Sequence, residues 1–132
     1  MSDFLVRGDF TSHAGLKLPW KIECDALTDE EIETFALIIS KRVKFKTVFG
    51  IPRGGIRIAN TLEKYADPDG QDHLIVDDVY TTGTSMKQAA ADFHKANPKF
   101  YNGRRSVVGY VLFARNPIGL YDGWINPVFQ MT

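Results

Sequence analysis

The stretch from His73 to Ser85 constrains the fold of this chain more than any other segment. It begins with the apolar run Leu74 to Val76, continues through two aspartates, and then changes to a hydroxyl-rich turn, Thr81-Thr82-Gly83-Thr84-Ser85. A short, continuous apolar run is typical of a buried strand in a parallel sheet. The segment Met86 to Ala96 that follows is suited to a helix. The sequence therefore predicts a strand, a tight turn and a helix in this order.

A turn of this kind, between a strand and a helix, is suited to bind phosphate. Backbone N–H groups at the start of a helix lack intrahelical acceptors, and the helix dipole favours an anion there. Gly83 allows the backbone to approach a ligand closely, because it carries no side chain. Hydroxyl groups for further hydrogen bonds come from Thr81, Thr82, Thr84 and Ser85. We therefore predict a phosphate site at residues 81–85.

The two carboxylates before the turn indicate that the ligand is more than a phosphate. Asp77 and Asp78 would repel an anion that lay directly against them. Carboxylates accept hydrogen bonds from pairs of sugar hydroxyls, and they also bind divalent cations that prefer oxygen ligands. Both uses are open at this point, and a phosphorylated ribose with a metal-bound group beyond it would suit the whole stretch.

A second glycine-rich turn follows another predicted strand. The strand Lys46 to Phe49 is followed by a helix from Ile56 to Tyr65, and between them lies Gly50-Ile51-Pro52-Arg53-Gly54-Gly55. This turn lacks the Gly-Lys-Ser/Thr ending of a P-loop, and it is not the Gly-x-Gly-x-x-Gly fingerprint of dinucleotide-binding proteins. Its glycines and the guanidinium of Arg53 suit a second anionic group.

The remaining segments predict an α/β fold with an N-terminal β-arm. Thr28 and Glu31 predict a capping box at the start of a helix from Asp29 to Arg42. Strands that alternate with helices predict a mainly parallel sheet with helices on both faces, and ligands of such sheets lie at the carboxyl ends of the strands. Further strands are predicted at residues 4–10 and 18–24 (the arm), 106–114 and 125–131.

Length and composition predict one soluble domain, over residues 1–132. Sixteen basic and sixteen acidic residues cancel, which argues against a nucleic acid or a membrane surface as the main partner. A single cysteine, Cys24, excludes an intrachain disulfide and suits a reducing cytoplasm. Charged residues near the N-terminus leave no apolar core for a signal peptide, and no stretch approaches membrane-spanning length. We therefore expect a cytoplasmic protein.

The stretch from Val76 to Ser85 resembles the phosphoribosyl-pyrophosphate (PRPP) motif of the type I phosphoribosyltransferases. Residues Phe49 to Ala59 resemble the pyrophosphate loop and following helix of the orotate branch, and Phe10 to Trp20 resembles the N-terminal stretch of that branch. The resemblance implies an enzyme that transfers a phosphoribosyl group from PRPP to a nucleobase, with a pyrimidine such as orotate favoured. It also implies Mg²⁺ as cofactor and a homodimer.

The resemblance also implies a role for each candidate site residue. Asp77 and Asp78 become the catalytic carboxylates, which bind the ribose hydroxyls and the metal. The 5-phosphate would be bound by Thr81, Thr82, Gly83, Thr84 and Ser85, and the pyrophosphate by Pro52, Arg53, Gly54 and Lys17. Trp124 and Tyr80 are the candidates for contact with the base, and for each of them packing within the fold is the alternative.

The chain departs from the family pattern in two places. Between Ala66 and His73 it has only a polar turn, where the family has a strand, a mobile loop rich in Lys and Arg, and another strand. His13 and Ala14 stand where the orotate branch has Lys and Ser. A loop of that kind excludes water and brings cations to the leaving pyrophosphate. Two alternatives therefore stand beside a transferase: a non-catalytic PRPP- or nucleotide-binding regulator, and a structural domain with a vestigial site.

Residues outside the two turns have simpler predicted roles. His73 and His94 are expected at the surface, and Cys24 is expected in the core on a strand. Arg115 directly follows a predicted strand and is a weaker candidate for contact with the ligand.

Overall fold

The computed structural model describes the backbone of residues 5–11 and 17–22 and the whole of residues 24–100 and 106–131. Strands β1 (Leu5–Thr11) and β2 (Lys17–Ile22) pair antiparallel as the predicted arm. A parallel sheet has the order β3 (Phe45–Gly50), β4 (Asp72–Tyr80), β5 (Val107–Ala114) and β6 (Ile125–Gln130). The helices are α1 (Asp29–Arg42), α2 (Gly54–Leu62) and α3 (Thr84–Ala96), and short 3₁₀ helices span Cys24–Ala26 and Glu63–Tyr65.

The start of α1 follows from its sequence. Thr28 Oγ1 accepts a hydrogen bond from the Glu31 N–H at 3.1 Å, and Glu31 Oε1 accepts one from the Thr28 N–H at 2.9 Å. This capping box provides acceptors for two N–H groups near the helix start. The apolar side chains that recur at helical spacing are buried against the sheet: Ile32, Phe35, Ala36 and Ile39.

Helices cover both faces of the parallel sheet, as predicted. Helices α1 and α2 pack on the face that carries Leu74 and Val76 of β4. Helix α3 packs on the opposite face, where Met86 belongs to the same apolar cluster as Ile75 and Val111. Neighbouring residues of β4 thus point to opposite sides, which is why this strand is apolar at consecutive positions.

The order of the strands and the positions of the helices show that one βαβ crossover is left-handed. The crossover from β3 through α2 to β4, and that from β4 through α3 to β5, step in the same direction across the sheet. Two right-handed crossovers in one direction would place both helices on the same face, yet α2 and α3 lie on opposite faces. One of the two is therefore left-handed, whereas about 98% of such crossovers are right-handed. The short turn at residues 66–71 connects the end of α2 and its 3₁₀ turn to β4, which lies directly beside β3.

Two predictions about single residues are wrong. Cys24 lies in a 3₁₀ helix and not on a strand. His73 is buried, with 7% of its surface exposed, because its ring stacks on Phe93 of α3 at 3.8 Å between centroids and its Nδ1 lies 2.6 Å from Thr47 Oγ1. Burial lowers the pKa of His73 to about 4.

The helix predicted at residues 56–65 begins two residues earlier, at Gly54, and its last turn is the 3₁₀ helix Glu63–Tyr65. Residues 12–16, which include the departures His13 and Ala14, lie outside the described part of the chain. No helix within the described ranges is long and apolar enough to cross a membrane.

Candidate functional site

The two glycine-rich turns lie at the carboxyl ends of neighbouring strands. Strand β3 ends at Gly50 and β4 ends at Tyr80, and Gly50 pairs with Val76 in the sheet. A Cβ atom placed on Gly54 would lie 2.0 Å from Oδ2 of Asp78. The backbone of the turn at residues 50–55 therefore lies directly against one of the two carboxylates, and only glycine leaves room for both.

The turn after β4 surrounds a small cavity. The cavity has a volume of about 70 Å³ and is lined by Asp77 and by residues 79–86. The first hydrogen bond of α3 runs from the Lys87 N–H to the Gly83 carbonyl at 2.9 Å, so the N–H groups of residues 84–86 precede the helical hydrogen bonds. Gly83 caps the helix with φ 77° and without a side-chain hydrogen bond. The lining therefore offers backbone donors and hydroxyls to an anion.

The carboxylates of Asp77 and Asp78 are partly buried side by side. Oδ1 of Asp77 accepts a hydrogen bond from the Asp78 N–H, and Oδ1 of Asp78 accepts one from the Val79 N–H, both at 2.8 Å. Burial, and then the neighbouring Asp78, raise the pKa of Asp77 to about 8. Burial, and then the negative charge of Asp78, raise the pKa of the Cys24 thiol well above its usual range.

This carboxylate pair fits a divalent cation. Two adjacent carboxylates repel each other, and the pKa of Asp77 is raised by burial first and by Asp78 second. A cation between the pair and an anionic ligand would offset the repulsion. Among the described residues, no group of three or more His, Cys, Asp or Glu side chains could hold a metal ion. Mg²⁺ suits such a site, because it commonly binds through one or two carboxylates together with substrate phosphates.

The other residues predicted for pyrophosphate lie in or near the glycine-rich turn. Pro52 and Arg53 are exposed, and the peptide bond between them is cis. Arg53 is also the N-cap of α2, which has no side-chain cap, so this helix start likewise has N–H groups that its own side chains do not cap. Lys17 is the first residue of β2, and the position of its side chain lies outside the described part of the chain.

Neither aromatic residue predicted for the base is placed to bind one. Tyr80 is 3% exposed, and its hydroxyl donates to Oδ2 of Asp122 at 2.8 Å, so its ring belongs to the core and the predicted base contact is wrong. The indole of Trp124 packs near Met86 in the apolar cluster under α3, and it would contact a Cβ placed on Gly109. Gly109 lies near the amino end of β5, so the structure gives Trp124 its packing role.

Several residues of the segment between β5 and β6 belong to the site although they were not predicted. Asn116 Nδ2 donates to the Thr81 carbonyl at 2.9 Å, and Asp122 is buried beneath Gly83. Leu120 and Tyr121 are 89% and 88% exposed beside Asp122. Only the Asn, Pro and Gly content of this segment is visible in the sequence, and it indicates a turn without indicating which turn residue is buried.

Arg115, the weaker candidate for ligand contact, directly follows β5. Its backbone N–H donates to the Tyr80 carbonyl at 3.0 Å, which places the residue beside the turn that ends β4. Burial lowers the pKa of its guanidinium.

Comparisons of sequence find no matching family model and no matching curated protein. Comparisons of structure find clear likeness to phosphoribosyltransferases. Orotate phosphoribosyltransferase from Aeropyrum pernix superposes with a TM-score of 0.68 at 23% identity, over 96% of this chain and 88% of that one. The UMP synthase of Leishmania donovani gives 0.74 at 18% identity, over 97% of this chain and 34% of the synthase.

A purine phosphoribosyltransferase from Pyrococcus horikoshii gives a TM-score of 0.55 at 16% identity, over 79% of this chain and 83% of that one. At these identities the likeness shows the fold, and the fold is that of the type I phosphoribosyltransferases, as the motifs at residues 49–59 and 76–85 predict.

Proposed function

We propose that this chain binds PRPP with Mg²⁺ and transfers the phosphoribosyl group to a nucleobase, with a pyrimidine such as orotate favoured. One observation carries the proposal: the backbone of Gly54 lies against the Asp78 carboxylate, and the cavity at residues 79–86 follows on the same strand. A donor-rich turn, a carboxylate pair and a glycine-rich turn are therefore contiguous. PRPP has a phosphate, a diol and a pyrophosphate in the same order.

Each part of the site has a chemical task under this proposal. The N–H groups and hydroxyls of residues 81–85 bind the 5-phosphate, and each hydrogen bond to a charged oxygen contributes about 1.5–3 kcal/mol. Asp77 and Asp78 accept hydrogen bonds from the ribose hydroxyls and would hold Mg²⁺, which neutralises charge on the pyrophosphate when it is bound. Arg53 and the Gly54 N–H in the glycine-rich turn bind the pyrophosphate.

The transfer itself needs little covalent chemistry from the protein. A nitrogen of the base forms a bond to the anomeric carbon as the bond from this carbon to pyrophosphate breaks, and the electron pair leaves with the pyrophosphate. Positive charge develops on the ribose ring, where the carboxylates of Asp77 and Asp78 stabilise it. Preorganised charges of this kind supply a large share of the rate in many enzymes.

The base needs a contact that Tyr80 and Trp124 do not supply. Tyr121 is the exposed aromatic residue next to Asp122, which lies beneath the phosphate turn. We therefore propose that Tyr121 contacts the base, since an aromatic ring can stack on a flat heterocycle. Replacement of Tyr121 by Ala should raise the KM for the base and leave the KM for PRPP unchanged. A variant with the same KM for the base as the wild type would contradict this role.

A second candidate is a PRPP- or nucleotide-binding regulator without catalysis. The connection between α2 and β4 favours it, because residues 66–71 form a short turn in which the Asp67 N–H donates to the Phe45 carbonyl and the Gly70 N–H to the Asp67 carbonyl, both at 2.8 Å. A turn held to the sheet in this way cannot close over a ligand. Catalysis then depends on Mg²⁺, Arg53, Lys17 or a neighbouring subunit to meet the charge of the pyrophosphate.

Phosphorus NMR of PRPP, Mg²⁺ and a panel of purine and pyrimidine bases distinguishes these functions. We expect pyrophosphate to be released only when the protein and one of the bases are present, which would also identify the base. Shifted or broadened PRPP signals without release would support the regulator instead. Sharp signals unchanged by the protein would contradict both functions.

A further inference from the structure

We infer that Asp122 is a positioning residue for the phosphate turn at residues 81–85, an inference that rests on the proposed function of this turn. Asp122 lies in the segment between β5 and β6, far from the turn in sequence. Its side chain is 2% exposed. A carboxylate is costly to bury, so its place beneath an anion site needs a reason.

The first reason is a direct contact with the turn. A Cβ atom placed on Gly83 would lie 2.8 Å from Oδ2 of Asp122 and 2.8 Å from Cε2 of Tyr80. The side chains of Asp122 and Tyr80 therefore pack directly against Gly83. Gly83 has φ 77° and contacts both side chains, so Asp122 and Tyr80 restrict the conformation of the backbone where it enters α3.

The second reason is a chain of hydrogen bonds that includes the end of β4. The Tyr80 hydroxyl donates to Oδ2 of Asp122 at 2.8 Å and accepts from the Gly119 N–H at 2.9 Å. The Asp122 N–H donates to the Gly119 carbonyl at 3.0 Å, which closes the loop below the turn. With the Asn116 side chain bonded to the Thr81 carbonyl, the segment at residues 116–122 holds the turn at its start and its middle.

The third reason concerns the charge of Asp122. Its Oδ1 is buried without a hydrogen-bond partner among the described residues, and Nζ of Lys87 lies 3.3 Å from it. A neutral amide could accept the hydrogen bond from Tyr80, but only a carboxylate also attracts the ammonium of Lys87, in the first turn of α3. Lys87 in turn offsets a negative charge that would otherwise disfavour phosphate above it.

These contacts indicate preorganisation and not direct binding. Asp122 has no N–H or hydroxyl in its side chain to offer a phosphate, but it holds the turn in one conformation before the ligand arrives. Preorganisation increases affinity because the turn is already ordered, so binding does not lose conformational entropy in ordering it. Loss of Asp122 should therefore weaken phosphate binding even though the groups that bind phosphate all remain.

The test compares Asp122→Ala with Asp122→Asn and with a control, Asp72→Ala. Asp72 lies at the other end of β4, where its Oδ1 accepts hydrogen bonds from the N–H and the hydroxyl of Ser106 at 3.2 and 3.0 Å. Two quantities are measured below the melting temperature of each variant: the ¹⁵N order parameter of Gly83, and the Kd for ribose 5-phosphate by calorimetry. A role in stability alone would lower the melting temperature without changing either quantity.

For Asp122→Ala we expect the order parameter of Gly83 to fall from about 0.85 to below about 0.6 and the Kd to rise about tenfold. Asp122→Asn should restore part of both, because its amide oxygen accepts from Tyr80 but does not attract the ammonium of Lys87, and Asp72→Ala should change neither. If Asp122→Ala does not fold, Tyr80→Phe serves instead, with a change in the same direction. An unchanged order parameter and Kd in the folded variant would overturn the inference.

The order parameter separates this inference from the proposed function. If the wild-type protein does not bind ribose 5-phosphate, the proposed function fails, while the response of Gly83 to Asp122→Ala still decides whether Asp122 positions the turn. If the wild-type protein binds and Asp122→Ala binds equally well with a rigid Gly83, the function stands and the inference fails.

Discussion

The two ends of β4 carry similar numbers of polar residues and treat them in opposite ways. At the amino end, Asp72 accepts two hydrogen bonds from Ser106, and His73 is enclosed by Thr47 and Phe93. At the carboxyl end, two carboxylates lie side by side, and α3 begins at a glycine without a side-chain cap. Partners from distant segments satisfy the polar groups at the first end, whereas the carboxylates at the second end accept hydrogen bonds only from the backbone beside them.

The arrangement at the carboxyl end of β4 costs stability, whereas that at the amino end does not. Removing a side-chain cap typically costs about 1 kcal/mol of stability, and burial of Asp77 beside a second carboxylate raises the pKa of Asp77. Neither cost is needed for folding, since α1 shows that this chain can cap a helix with its own side chains. The end that carries these costs is the end at which we propose the functional site.

The largest effect is expected from the double replacement Asp77→Asn and Asp78→Asn. The amide oxygens can still accept from the Asp78 and Val79 N–H groups, so the fold should persist. The variant cannot stabilise positive charge on the ribose, and we expect turnover of PRPP to fall by at least about a thousandfold.

Melting temperature and turnover are measured together for this variant. Loss of repulsion between the carboxylates should leave the melting temperature equal or higher, whereas Asp69→Asn in the exposed turn should change neither quantity. Turnover that stays at the wild-type rate would remove Asp77 and Asp78 from the mechanism.

The next effect is expected from Gly54→Ala. The added methyl group would lie 2.0 Å from Oδ2 of Asp78, and a carboxylate can rotate away at small cost to stability. Because this rotation displaces the Asp78 carboxylate, we expect the affinity for PRPP to fall about tenfold to a hundredfold. This corresponds to a loss of roughly 1.4–2.8 kcal/mol of binding free energy.

Gly55→Ala is the matched comparison for Gly54→Ala. Its methyl group would lie 2.4 Å from the Val76 carbonyl oxygen, which cannot rotate away, so stability should fall more for Gly55→Ala than for Gly54→Ala. Calorimetric titration and thermal unfolding check both variants. A Gly54→Ala variant with wild-type affinity would show that the two turns act separately.

A smaller effect is expected from Gly83→Ala. Alanine is disfavoured at φ 77°, and its methyl group would meet Asp122 and Tyr80 at 2.8 Å, so we expect about 1–3 kcal/mol of lost stability and weaker binding of ribose 5-phosphate. Gly123→Ala is the control, because a Cβ there has no neighbour within 4 Å. Chemical denaturation measures the stability of both variants, and equal values for the two would contradict the tight fit at Gly83.

The last effect concerns the amino end and is absent at neutral pH. The folded pKa of His73 is about 4 and the unfolded value is about 6.5, so the unfolded chain binds a proton first as the pH falls. The contribution of His73 to stability is therefore present above pH 6.5 and is lost as the pH falls towards 4, by roughly 3 kcal/mol. Urea unfolding of the wild type and His73→Phe between pH 7 and 4 checks this. Parallel losses in the two proteins would contradict it.

Local signals explain what could be predicted from the sequence. Thr28 and Glu31 are three residues apart, and the apolar run before Asp77 is continuous, so a helix start and a central strand were visible in short windows of sequence. The motif at residues 76–85 predicted the strand, the turn and the helix start because its apolar residues, glycine and hydroxyls are neighbours in the chain.

Contacts between distant segments could not be predicted in this way. Burial of Asp122 depends on Tyr80 and Gly83, which precede it by about forty residues, and nothing local distinguishes it from an exposed turn aspartate. His73 is buried only because Phe93 of the following helix covers it. Tyr80 was misassigned for the same reason, since its position in the motif does not show which way its ring points.

The most direct test follows backbone amide shifts as PRPP and Mg²⁺ are added to ¹⁵N-labelled protein. We expect the amides of residues 53–55 and of residues 81–86 to shift together with one Kd, while those around Thr28 and Asp72 stay in place. Asp77→Asn with Asp78→Asn should weaken both sets of shifts equally. Shifts confined to one turn, or two different Kd values, would contradict a single site built from the carboxyl ends of β3 and β4.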